Sequence, residues 1–288
     1  MTLNELNNLP PAEAATALQS CCGSGRWVAR MLEGMPFPSV EDLARQATDA
    51  WYGHCADADW REAFTHHPKI GDLDSLRKKY AATSHLAGAE QSGVNSADER
   101  TLQSLAAGND RYEQQQGFIF IVCATGKSAP EMARLLQDRL HNESEEEIHV
   151  AMGEQHKITL LRLKKLLPGE DWSFLRVSQL TTHVLDTSIG RPGKDITIRL
   201  QVPLGKSWRT IAQGVTNADG RIPDLLPPGR TLPPGTYRMA FDTGAYFAAQ
   251  GLTGFYPAVE IQFTVFDGSH YHVPLLVNPF GYSTYRGS

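Results

Sequence analysis

The hydrophobic pattern of this chain changes period once, and that change fixes its fold class. Before about position 168 apolar residues recur every three or four positions, as on helices; from about position 179 they alternate, as on strands. Helices in one block and strands in the next argue for separate domains rather than an interleaved α/β sheet. With 288 residues there is room for two cores. The expected organisation is an all-α domain over residues 1–167, a linker over 168–178 and an all-β sandwich over 179–288.

In the helical half, Ser96-Ala-Asp-Glu99, Ser128-Ala-Pro-Glu131 and Ser144-Glu-Glu-Glu147 have the Ser-x-x-Glu form of a capping box. Ser39 followed by Val40, Leu43, Ala47, Ala50 and Trp51 predicts a further helix, and Ile148, Ala151, Gln155, Ile158 and Arg162 carry a last one to Leu167. Gly117-Phe-Ile-Phe-Ile-Val-Cys-Ala124 is continuously apolar and suits a buried extended segment or a helix stub equally.

In the second half, Ile196, Ile198, Leu200, Val202 and Leu204 alternate with Thr197, Arg199, Gln201 and Pro203. Tyr237, Met239 and Phe241 form one further set, and Val259, Ile261, Phe263 and Val265 another. Turns rich in Gly, Pro and Asn separate them, which predicts a small antiparallel sandwich. Near the end, Tyr271, Val273, Leu275 and Val277 share a core face of an apparent strand, leaving His270, His272, Pro274 and Leu276 on the other. A plain solvated strand would carry Lys, Glu or Thr there, so a second surface should cover the imidazoles.

The opening TTHVLDTSIGRP, the turn Thr216-Asn-Ala-Asp-Gly-Arg221, the YHVPLL strand and the tail YRGS resemble the transthyretin-like family over residues 179–288, in its 5-hydroxyisourate hydrolase branch. The resemblance implies a transthyretin-like β-sandwich assembled as a homotetramer. It also implies His183, Arg221 and His272 as the catalytic trio, with Tyr285 and Ser288 closing the pocket and His270 a looser member. The residue types suit opening of a lactam by water: imidazoles titrate near neutrality and a guanidinium stays charged beside an oxyanion. His183, His270 and His272 would also suit zinc, but no acidic or cysteine ligand accompanies them and Arg221 would repel a dication. No metal is expected.

Thr65-His-His67-Pro-Lys-Ile-Gly71, Ala87-Gly-Ala-Glu-Gln91, the Gly117 segment and Lys157-Ile-Thr-Leu-Leu-Arg162-Leu are individually weak signals. In this order they resemble the decarboxylase family acting on 2-oxo-4-hydroxy-4-carboxy-5-ureidoimidazoline (OHCU), over nearly all of the helical half. The resemblance implies His67 as catalytic, Glu90 and Gln91 on the substrate ring, Arg162 as a substrate ligand and the Phe118-Ile119 backbone as pocket wall. OHCU is the product of the hydrolase step, so the two halves would act in sequence on small-molecule substrates, ending at (S)-allantoin. Neither step calls for a cofactor. Many family members carry Ser three residues before the Glu-Gln pair; Ala87 stands there in this chain, with Ser84 a possible replacement.

Charge excludes one partner class. Before position 179 there are 18 basic and 25 acidic residues, and after it 9 and 7, giving −7 and +2. Neither half has the basic excess of a nucleic-acid binder. Cys21, Cys22, Cys55 and Cys123 lack zinc or disulfide-framework spacing, which points to free thiols in a reducing compartment. With no signal peptide and no apolar run near eighteen residues, no membrane association and a cytoplasmic location are expected, the peroxisome being an alternative. Two rival readings are a transthyretin-like carrier fused to a helical module, and a metal-dependent cyclic amide hydrolase.

Overall fold

A computed structural model describes residues 1–67, 94–125, 127–176, 178–227 and 230–287, leaving aside the side chains of 94–99 and 176. Its helices are α1 (Leu3–Asn7), α2 (Pro11–Cys21), α3 (Gly25–Glu33), α4 (Val40–Asp49), α5 (Asp57–Thr65), α6 (Val94–Gln116), α7 (Ala129–Arg139) and α8 (Ser144–Leu166), and a π-helical turn, Ala50–His54, follows α4. None of the described helices is long and apolar enough to cross a membrane. The chain divides into two compact units: Leu9–Met35 with Ala50–Leu163, and Met1–Asn8 with Pro36–Asp49 and Lys164–Ser288. In the second unit, the Leu3 N–H donates to Glu170 and the Asn7 amide donates to the Phe37 carbonyl, each within 2.9 Å.

The first unit is helical. Leu18, Trp27, Met31, Trp51, Phe64, Leu105 and Leu136 are buried in it, and the Trp51 indole donates to the Met152 carbonyl at 2.8 Å. Ser128 and Glu131 form the expected capping box at the start of α7. The box at Ser144 is not found, and the side chains of Ser96 and Glu99 lie outside the described residues. Helix α6 already begins at Val94, so Ser96 lies inside it. At the start of α8, Ser144 donates to Gln116, while Glu147 is fully buried in an ion pair with Arg139.

That ion pair serves the apolar segment 117–125, which forms neither helix nor strand and pairs with no strand among the described residues. Its main-chain groups must be satisfied another way. The Arg139 guanidinium donates to the Ile121 carbonyl at 2.7 Å and through Nε to Glu147 at 2.8 Å; Tyr112 and Asn142 also donate to Glu147. A second buried pair, Glu154 with Lys157 at 2.6 Å, accepts the Cys123 N–H at 2.7 Å.

The sandwich comprises β1 (Leu180–Thr181), β2 (Val184–Asp186), β3 (Arg191–Pro192), β4 (Thr197–Leu204), β5 (Ser207–Val215), β6 (Gly235–Phe241), β7 (Val259–Val265), β8 (Tyr271–His272), β9 (Leu275–Asn278) and β10 (Gly281–Thr284), with one helix, α9 (Thr243–Ala249), between β6 and β7. One sheet has the order β5-β4-β6-β7 and is antiparallel throughout, as expected. The other, β10-β9-β2-β3, is not: β2 and β9 run parallel, as do β1 and β8 in a small pair of their own. Strands so far apart in sequence are free to pair in either direction. Pro274 has no N–H and falls where the expected single strand is interrupted between β8 and β9. Val184, Ile198, Leu200, Met239, Phe241, Leu275 and Val277 are buried in one core cluster. In β4 the alternation fades at Val202 and Leu204, beyond a register shift at Leu200/Gln201.

Candidate functional site

Two clusters carry chemistry. In the sandwich, the chain between β1 and β2 places His183 opposite Arg221 in an isolated antiparallel bridge. Arg221 is set there by its turn, where the Asn217 side chain accepts the N–H groups of Asp219 and Arg221, each at 3.0 Å. Gly220 has φ +69°, and a Cβ on it would lie 2.3 Å from the Val184 carbonyl oxygen. Only glycine allows that approach. His272 joins from β8, and the charge of Arg221 reaches both imidazoles.

The Thr181 hydroxyl holds the His272 ring, lying 2.9 Å from its Nδ1 and 3.0 Å from His270 Nε2. Partial burial, then Arg221, lowers the pKa of both His183 and His272 below the usual histidine value. Both are therefore neutral at pH 7, the form in which an imidazole can take a proton.

The C-terminal tail returns to this place. The Gly287 N–H donates to the His272 carbonyl at 3.0 Å, and the Arg286 guanidinium lies 5.5 Å from the Tyr271 ring centroid. His272, Tyr285 and Arg286 line a cleft of about 380 Å³ with residues of β7; His183 and Arg221 are outside its lining. Tyr285 is exposed, and Ser288 lies outside the described residues.

In the helical unit, α5 ends at Thr65 and His67 occupies the turn beyond it, half-buried. Its Nε2 is 2.6 Å from the Gln155 side-chain oxygen and its Nδ1 is 3.5 Å from Arg162 Nη2. Gln155 and Arg162 stand seven residues apart on α8, two turns along one face. Arg162 also reaches the carbonyls of Ser20 and Cys21, at 3.5 and 3.4 Å. Burial, then Arg162, lowers the His67 pKa. Phe118 is buried, its ring 5.2 Å from that of Phe64, whose carbonyl accepts the His67 N–H; Ile119 is half-buried. Glu90 and Gln91, with Ala87 and Ser84, lie outside the described residues.

The fold thus brings together His183, Arg221 and His272, and separately His67 and Arg162. Gln155 and Thr181 were not singled out in the sequence. Gln155 looked like one more member of a helical stripe, and only the register of β1 against β8 sets Thr181 beside His272.

Comparisons with known proteins agree with this division. The family model described as OHCU decarboxylase matches residues 7–164, and that of the HIUase/Transthyretin family matches residues 180–287. A protein of Arabidopsis thaliana named uric acid degradation bifunctional protein TTL is 34% identical, over 93% of this chain and 96% of its own length. The chain belongs to the OHCU decarboxylase family, joined to a HIUase/transthyretin domain. Outside the decarboxylase part, the 5-hydroxyisourate hydrolase of Mus musculus is 45% identical over 38% of this chain and 96% of its own. The protein of the same name from Ralstonia nicotianae is also 45% identical, over 39% of this chain and 100% of its own.

Proposed function

We infer that this chain is a bifunctional enzyme of urate degradation, hydrolysing 5-hydroxyisourate to OHCU and decarboxylating OHCU to (S)-allantoin. The observation that carries this reading is the relation to a bifunctional urate-degradation protein along nearly the whole of both chains. A carrier would have no use for two neutral imidazoles and a guanidinium gathered at one place.

In the hydrolase, one imidazole takes a proton from water as its oxygen attacks the lactam carbonyl. The proton so gained is handed through the imidazole pair to the ring nitrogen as the C–N bond breaks, and Arg221 stabilises the oxyanion between these steps. In the decarboxylase, the bond to the carboxylate carbon breaks and its electron pair moves into the neighbouring ring C=N. Carbon dioxide leaves and a proton is delivered to one face of the carbon. Arg162 holds the substrate, His67 handles the proton, and Glu90 and Gln91 contact the ring.

The test is to generate 5-hydroxyisourate from urate with urate oxidase, add the protein, and follow absorbance with circular dichroism. Accelerated decay in two stages and an optically active product support both activities; spontaneous rates and racemic product overturn them.

Because both hydrolase imidazoles have lowered pKa values, their basic forms persist as pH falls. The acidic limb of kcat/KM for 5-hydroxyisourate should lie below the ordinary histidine value of about 6.5. A limb above it would show that another group controls the step.

Gly287 should matter through its missing side chain. A Cβ there would lie 2.4 Å from His272 Cδ2 and 3.0 Å from its Cβ, so the ring must move. Gly287→Ala should lower hydrolysis roughly 10–100-fold with little change in the unfolding midpoint. An unchanged rate would remove the tail from the site.

A homotetramer built through the sandwich is the assembly we favour. The exposed side chains of Phe255, Phe280 and Tyr282 lie on or beside the edge strand β10, where a second copy would cover them. Full activity in a sedimenting monomer would contradict this.

A further inference from the structure

We propose that Gln155 and Thr159 are positioning residues that fix the tautomer of His67, so that Nε2 carries the proton and Nδ1, beside Arg162, is the basic nitrogen offered to the reaction. The catalytic part of this proposal rests on the decarboxylase reading.

The argument follows the hydrogens. Thr159 Oγ1 lies 3.1 Å from the Gln155 backbone carbonyl, which can only accept, so the single hydroxyl hydrogen is committed there. Toward the Gln155 side chain, 3.2 Å away, that hydroxyl offers only a lone pair. The amide must therefore turn its nitrogen to Thr159, and its oxygen faces His67 Nε2 at 2.6 Å. A carbonyl oxygen accepts, so His67 Nε2 must donate. In a neutral imidazole the other nitrogen is then a bare lone pair. Arg162, which has only donors, lies 3.5 Å from it.

The surroundings agree. The Cys22 thiol near Thr159, pushed up to about 12 by burial, stays protonated, so no thiolate competes with the carbonyl for the hydroxyl hydrogen. Among the described residues, the charged or titratable groups facing His67 are Arg162 from α8 and His66 in its own turn, and both disfavour a proton on it. Next to Arg162, the Cys21 thiol is pushed up to about 11 by burial and brings no negative charge.

Nitrogen-15 NMR of the full chain with labelled histidine tests the tautomer, the His67 signals being assigned by their loss in H67N. The expected wild-type spectrum has protonated Nε2 and unprotonated Nδ1; the reverse assignment overturns the proposal. Thr159→Val frees the amide to turn over, so the two tautomers should mix and decarboxylation kcat fall about fivefold with KM little changed, and Thr159→Ser should restore both. Gln155→Glu puts a carboxylate on Nε2 and should move the acidic limb of decarboxylation up by about one pH unit; an unmoved limb overturns the proposal. If the wild-type chain does not decarboxylate OHCU, the functional reading fails while the NMR result still decides the tautomer.

Discussion

Replacing His272 with Asn should stop 5-hydroxyisourate hydrolysis, lowering kcat by about 10²–10⁴-fold, while decarboxylation of supplied OHCU continues. Asn keeps a polar group of similar size near the Thr181 hydroxyl, which lies 2.9 Å from the native ring. It does not titrate near neutrality, so proton transfer is lost with little disturbance of packing. The neighbours on the core face, Tyr271, Val273 and Leu275, are buried and unaltered, so β8 and β9 should keep their places. The two activities are measured separately, by decay of 5-hydroxyisourate and by allantoin formation from OHCU. Loss of both would argue against independent sites, and retention of hydrolysis would take His272 out of the chemistry.

Replacing Arg139 with Met should destabilise the helical unit by about 3–5 kcal/mol, read from urea unfolding. The side chains of Arg139 and Glu147 are 2% and 0% exposed, so removing the guanidinium strands a carboxylate away from water. Tyr112 and Asn142 still donate to it, but they bring no positive charge. The Ile121 carbonyl loses its donor as well. Changing both partners, Arg139→Met with Glu147→Gln, should recover part of the loss, because no buried charge then stands alone. Equal losses in the single and double variants would mean that packing, rather than charge, sets the cost.

The capping box expected at Ser144 shows where sequence reading stops. Ser-x-x-Glu at position 128 works as a cap because both groups are free to serve the helix end. The same spelling at position 144 does not, because a buried arginine five residues earlier competes for Glu147. Nothing local distinguishes the two. The alternation of Tyr237, Met239 and Phe241, or of Val273, Leu275 and Val277, was legible because burial on one face is a local periodicity. The parallel pairing of β2 with β9 was not, since 88 residues separate Asp186 from Leu275. For the same reason His183 and Arg221 could be named one by one, while their cross-strand bridge could be seen only in the fold. Gln155 was invisible as anything but a helical position, because its partner His67 comes from a turn far away in sequence.

The side-chain clasp on segment 117–125 has a consequence for solubility. Phe118-Ile-Phe-Ile-Val-Cys123 is uncharged, free of proline and rich in β-branched and aromatic residues, the composition of segments that stack into cross-β fibrils. In the native chain, Arg139 and Glu154 occupy main-chain groups that a neighbouring molecule would otherwise pair with. Variants that loosen either grip should therefore precipitate as amyloid-like aggregate at temperatures where the parent stays clear.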